Sequence, residues 1–331
     1  MDPLTHGLVG AAAAQTVSSP DKMRPAAFTG AVAAMLADLD YFIHIPSDPL
    51  FNIEIHRQFS HSIFFIPLGA LIAAVVLWWL VRKQLSFSVL YLFCLVGYAT
   101  AGVMDAFTSY GTQLLWPFVD TRLAWNLVSV VDPVLTLGLA ALVGLAVYYR
   151  KKPLLVMAWG WLLLILALGM VQKHRSHSAL LDWVAQQQHH PQAVVVKPTI
   201  GNQLLWRGNY IHDGRVFTNA IRAGLFSPIR IYAGESAPLV NITEEFGEYQ
   251  GTTLFKDLQR FERLAAGYVV RHPEKPHIIG DGRYAMLPTS MVPLWGVAVD
   301  TAQPDRHLPF LYFRDASEAV RTEFTAMLLG K

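Results

Sequence analysis

The chain has 331 residues, of which 53% are hydrophobic and only 15% are charged, and its mean hydropathy is +0.34. A soluble globular chain carries about 25% charged residues, so the composition excludes a protein that is soluble along its whole length. The net charge of +2 is uninformative, and no basic run points to a nucleic-acid partner.

The single cysteine, Cys94, lies in an apolar run. It excludes an intrachain disulfide and any cysteine-based zinc site. A metal, if held, must be held by histidine and carboxylate. The chain start lacks a basic stretch followed by an apolar run and a cleavage site, so no cleavable signal peptide is expected. Residues 1–171 carry 18 of the 50 Asp, Glu, Lys and Arg residues. The expected fold is therefore an α-helical membrane domain over 1–171 and a soluble α+β domain over 172–331. The membrane domain should contain about six helices, two of them short.

Residues 3–18 read as a short helix of small residues, which permit close helix packing in membranes; His6 lies near its start. A turn with Lys22 and Arg24 follows. Residues 26–43 form a second short apolar helix that ends in Asp38-Leu-Asp40. A loop over 44–60 leads to His56-Arg-Gln-Phe-Ser-His61-Ser. Four longer apolar segments follow, at 62–81, 86–104, 127–149 and 153–171. Each is about long enough to span a bilayer. Arg82-Lys83 and Arg150-Lys-Lys152 separate them in pairs.

Short basic loops stay cytoplasmic. Counting crossings puts the turns at Lys22/Arg24, Arg82/Lys83 and Arg150–Lys152 on one side. His6, Asp38, Asp40, His56, His61, Asp105 and Asp132 then fall at helix ends on the other side, as one polar layer. From Gln172 an amphipathic helix, 173–190, leaves the membrane. Strands are expected at 193–197, 203–211, 215–223, 229–233, 278–287 and 294–300, with helices at 255–269 and 315–329. An even number of crossings puts this second domain outside the cytoplasm.

Neutral imidazole and carboxylate suit zinc, manganese or iron. His56 and His61 are five residues apart and cannot share one face of a regular helix. The expected arrangement has His56 in the loop, Ser60 as N-cap and His61 in the first turn. Asp38 and Asp40 pose the same problem: one is a ligand and the other caps a helix or orients a histidine. Asp40 is slightly favoured as the ligand. Asp105 is either a helix-end residue or a ligand. Arg57 and Arg122 are the basic residues on this face and suit bidentate contact with phosphate or carboxylate. His174 and His177 read as helix surface, His189-His190 as solvated loop and His44 as interfacial. Trp and Tyr at segment ends read as interface anchors.

The motifs Met1-Asp-Pro-Leu-Thr-His6-Gly-Leu-Val-Gly10, Ala37-Asp-Leu-Asp40-Tyr, His56-Arg-Gln-Phe-Ser-His61-Ser and Asp105-Ala-Phe-Thr-Ser-Tyr-Gly111, in this order, resemble a known family. It is the LexA-regulated, inner-membrane metal-dependent hydrolase family, distantly similar to zinc-dependent phospholipase C. The resemblance implies His6, Asp40 or Asp38, His56, His61 and Asp105 as metal ligands, with zinc, or manganese, as one or two ions. Many members carry a histidine four residues before this Asp, where this chain has Ala101. The expectation is a bacterial inner-membrane hydrolase of a lipid or lipid-linked phosphoester. Asp38 or Asp132 would act as base or orienter, and Arg57 and Arg122 would hold the anionic group. The competing expectation is a non-enzymatic membrane protein with a structural His/Asp metal site.

Overall fold

The computed structural model describes residues 1–331. The chain divides into two compact units. The first comprises Met1–Ile43, Ile55–Val171 and Ile200–Asn202; the second comprises His44–Glu54, Gln172–Thr199 and Gln203–Lys331.

The first unit is helical: α1 (Pro3–Val17), α2 (Met23–Leu36), α4 (Ile66–Val81), α5 (Phe87–Ala106), α6 (Pro133–Tyr149) and the first part of α7 (Pro153–Gln186); the short α3 (Phe51–Ile55) belongs to the second unit except for its last residue. Asp2 caps α1 by accepting from Thr5 N, and Pro3 occupies its first turn. Pro suits that position because its missing N–H would have no partner there anyway. Asp132 caps α6 in the same way, through Leu135 N, so the helix starts at Pro133 rather than at residue 127. Helix α4 starts at Ile66, with Pro67 in its first turn. His61 therefore closes a separate 3-10 turn, Phe59–His61, and Ser60 does not cap α4.

Helices α5 and α7 are long and apolar enough to cross a membrane. The pair Phe51–His61 and Ile66–Val81, bent by 90°, makes a third span if counted as one. Helices α1 and α2 are short, with 15 and 14 residues, and α6, expected to be long enough to span, has only 17. The chain has ten α-helices in all, not about six. Two of the additional ones, α3 and α8 (Ile242–Phe246), have five residues each, too few for periodicity to reveal.

Small residues set the core of this unit. A Cβ on Gly10 of α1 would lie 2.5 Å from the Gly30 carbonyl oxygen of α2, and one on Gly97 of α5 would lie 2.5 Å from the same oxygen. The α2 backbone is thus clasped between two glycines, the close approach that small residues allow in a bilayer. Asp38 lies eight residues beyond Gly30, Asp105 eight beyond Gly97, and His6 four before Gly10. The crossing brings all three to one end of the bundle.

The second unit holds two antiparallel meanders. One is β1 (Ala193–Pro198), β2 (Leu205–His212), β3 (Arg215–Arg222) and β4 (Arg230–Pro238); the other is β5 (Val269–His272), β6 (Lys275–Asp281), β7 (Trp295–Ala298) and β8 (Phe310–Tyr312). Leu180 and Val184 of α7 pack with Val196, Trp206, Tyr210 and Ile221 of the first meander. Helices α8 and α9 (Thr253–Leu264) pack with Leu50 against the second; α10 (Glu318–Leu329) ends the chain. The helix expected over 255–269 stops at Leu264 because Ala266 and Gly267 have φ of 47° and 80°, and Val269 already belongs to β5. His189 is not a solvated loop residue: its ring stacks on His212 at 4.3 Å and lies against Phe217.

Candidate metal centre

Four side chains converge where α1, α2 and α5 meet. His6, Asp38, His61 and Asp105 each place a ligand atom within 4.8 Å of the others. His6 Nε2 lies 3.1 Å from Asp105 Oδ1 and 3.7 Å from Asp38 Oδ2. His61 Nε2 lies 3.0 Å from Asp105 Oδ2 and 3.4 Å from Asp38 Oδ1. His6, His61 and Asp105 are buried.

Most of these approaches are not hydrogen bonds. His61 Nε2, Asp105 Oδ2 and both Asp38 oxygens are buried with no hydrogen-bond partner. Native proteins rarely leave such atoms unpaired, since each costs about 1–3 kcal/mol, more if charged. Two carboxylates and two imidazoles converging at one point, with His61 Nε2, Asp105 Oδ2 and both Asp38 oxygens lacking a hydrogen bond, form a donor set that fits a divalent cation.

Around them stands a layer that aims the ligands. Asp40 is buried and takes a bond from His56 Nδ1 at 2.7 Å, one from Arg57 N at 2.9 Å and a short one from the Ser60 hydroxyl. Ser60 Oγ also lies 2.9 Å from His61 Nδ1, and Asp40 Oδ2 is 3.5 Å from it. Carboxylate behind imidazole is the usual support of a metal-binding histidine. Burial alone would raise the Asp40 carboxyl, but the hydrogen bond from His56 and the nearby His61 outweigh it and hold it below the usual carboxylate range.

Tyr98 donates to the Ser60 carbonyl at 2.8 Å. Its ring fills the notch at Gly69, where a Cβ would lie 2.3 Å from Tyr98 Cζ. Sequence reasoning missed Ser60 and Tyr98 as supports: a tyrosine inside an apolar helix carries no local sign of what it bonds.

Asp38, rather than Asp40, is thus in the converging group. His56 stands one step away, joined through Asp40. Arg57 is buried with φ of 60°, a left-handed conformation that costs a side-chain-bearing residue about 1 kcal/mol or more. This turn sends its Nε to within 2.9 Å of Asp105 Oδ2; the Met1 amino group also bonds Asp105. Arg122 donates to the His56 carbonyl at 2.8 Å. Both guanidinium groups stack on Tyr110, at 5.2 and 5.0 Å from its ring centre. Asp132 is committed to capping α6 and is not in the converging group. Ala101, one turn before Asp105, is buried among Ala33, Ala37 and Tyr98.

Beside the group opens a cleft of about 460 Å³. Its walls include Val32, Met35, Leu36 and Phe42, and Asp38, His56 and Arg57 stand among its lining residues. A second trio in the other unit, Asp48, Asp257 and His307, also has clustered ligand atoms. There Arg260 already bonds Asp48, Glu54 and Asp257 at 2.6–3.0 Å, so a cation's place is taken.

The chain belongs to the YdjM inner membrane protein family, whose sequence profile matches residues 1–176, the stretch that carries every residue of the centre. It is also similar to the uncharacterized protein YfhP of Bacillus subtilis (strain 168), with 25% identity over 214 residues, 60% of this chain and 62% of that protein. The chain thus spans less than two thirds of that relative's length. No solved structure matches.

Proposed function

We propose that this inner-membrane protein is a metal-dependent hydrolase of a lipid or lipid-linked ester, with a phosphoester of the kind cleaved by zinc-dependent phospholipase C as the first choice. The observation that carries the reading is the convergence of His6, Asp38, His61 and Asp105, where His61 Nε2, Asp105 Oδ2 and both Asp38 oxygens are buried without a hydrogen bond. These four would hold one divalent ion, zinc or manganese. When bound, such an ion supplies a Lewis acid and lowers the pKa of a water ligand to about 7.

The remaining roles belong to the chain. Asp40 orients His61 and His56. His56, at the cleft and bonded through Nδ1 to Asp40, is placed to carry a proton at Nε2. Arg57 offers its guanidinium to an anionic group, and Arg122 fixes the His56 loop from behind. Asp132 caps α6. The apolar walls of the cleft receive hydrocarbon, and its volume lies within the range of small-ligand sites, about 300–1,000 Å³. The basic turns at Lys22/Arg24, Arg82/Lys83 and Arg150–Lys152 support a cytoplasmic placement of the other ends of these helices, and hence an extracytoplasmic centre and C-terminal unit.

The test uses the full chain in lipid nanodiscs with long-chain phosphoesters, with and without zinc or manganese. Metal-stimulated cleavage is expected, lost in His61→Ala. Arg57→Gly suits a backbone at φ of 60° and should keep the fold and the metal while slowing cleavage about 10²–10³-fold, the usual effect of removing one charge-stabilising donor. A metal-loaded protein that cleaves neither phosphoesters nor carboxylic esters would instead make the centre structural.

A further inference from the structure

Helix α7 runs unbroken from Pro153 to Gln186. Its apolar stretch, Pro153 to Val171, gives way abruptly to Gln172-Lys-His-Arg175. In the first turn beyond that change the helix binds the loop between β3 and β4. Gln172 Nε2 donates to the Ala223 carbonyl, and Arg175 Nη1 donates to the Gly224 carbonyl at 2.9 Å. The loop's next residues are Leu225, 49% exposed, and Phe226, fully exposed. Full burial of such a side chain is worth about 1.5–3 kcal/mol, and this one has no protein cover. The foot of the loop is thus tied to α7 within the first turn beyond its apolar stretch.

Its surroundings are basic. Lys173 and Arg175 lie on α7, and Arg222 donates to Ser227 Oγ at 2.9 Å from the foot of the loop. Arg230 opens β4 on its other side. Apolar side chains ringed by arginine and lysine suit a bilayer interface, where hydrocarbon lies below and phosphate above. The opposite end of β3, at the His212-Asp213-Gly214 turn, has no such tip.

We propose that the 224–228 loop is a membrane-contact site. Leu225 and Phe226 enter the interfacial layer of the bilayer that α7 crosses. This assignment does not depend on the metal centre or on hydrolysis.

Spin labelling of the full chain tests it. Cys94 is the sole cysteine and is buried; it is replaced by alanine, and nitroxides are placed at Phe226→Cys, Leu225→Cys and, as a water-exposed control, Asp213→Cys. Exposed positions tolerate such changes, so folding is not at issue. In vesicles of phosphatidylethanolamine and phosphatidylglycerol, labels at 225 and 226 should collide with oxygen and be shielded from a water-soluble nickel chelate. The label at 213 should show the reverse. Chelate access at 226 equal to that at 213 overturns the proposal. Shielding from both oxygen and chelate also overturns it, because the tip would then be covered by protein.

Discussion

Replacing Gly30 by alanine should empty the metal centre without unfolding the protein. Its added Cβ would lie 2.4 Å from Ala14 Cβ and 2.4 Å from the Gly10 carbonyl oxygen, and ordinary contact begins at 3.4 Å. Helices α1 and α2 must therefore part by roughly 1 Å. Overpacking of this kind costs about 1–3 kcal/mol, and the better helix propensity of alanine returns up to about 1 kcal/mol. The fold survives a net loss of that size. The centre does not, because metal–ligand distances tolerate only about ±0.2 Å and His6 lies one helical turn from the crossing. Gly144→Ala in α6 is the control: nothing lies within 4 Å of its added Cβ, so it should be neutral or slightly stabilising. Unfolding midpoints in detergent and metal content after gel filtration read both effects. Full metal occupancy with an unchanged midpoint in Gly30→Ala would refute the clasped-backbone argument.

Two further outcomes follow from the side-chain network. Asp38→Asn removes a ligand and should abolish metal retention, whereas Asp40→Asn removes only an orienting group and should weaken affinity about 10–100-fold; chelator competition ranks them, and the opposite order would exchange their roles. In the second unit, Asp48 is pushed up by burial, but its hydrogen bond with Arg260 outweighs this and lowers its pKa. A carboxyl depressed in the folded state adds stability above its ordinary value of about 3.9, and that stability is lost as pH falls further. Thermal unfolding should show this unit weakening below about pH 4. Arg260→Met should cost about 1 kcal/mol at neutral pH, allowing for solvent screening, and should flatten the acid limb.

The polar layer of the membrane half was legible because ionisable residues are rare in apolar sequence and costly there. His6, Asp38, Asp40, His56, His61, Asp105 and Asp132 all stood out on that ground, which does not separate the four that converge from the other three. The choice between Asp38 and Asp40 was not legible, because the 3-10 turn Ala37–Phe42 replaces helical spacing there and turns the two carboxylates to different partners. Ser60 was misread as a cap because Pro67, seven residues on, decides where α4 begins. The strands at 193–198, 205–212 and 215–222 followed from alternation and the Asp213-Gly turn. Strand β5 was hidden because Val269-Val270 continue the apolar spacing of α9, and only the left-handed pair Ala266-Gly267 breaks it. The Arg260 network joins residues some 200 positions apart in sequence, a separation at which periodicity has no voice.

Elemental analysis of the detergent-purified full chain beside His61→Ala decides whether the converging ligands hold a metal. One equivalent of zinc or manganese in the native protein is expected, lost in a His61→Ala protein that still elutes as a folded species. No metal in the native chain, even after reconstitution with both ions, would leave the four ligands as a buried polar cluster and remove the basis for hydrolysis.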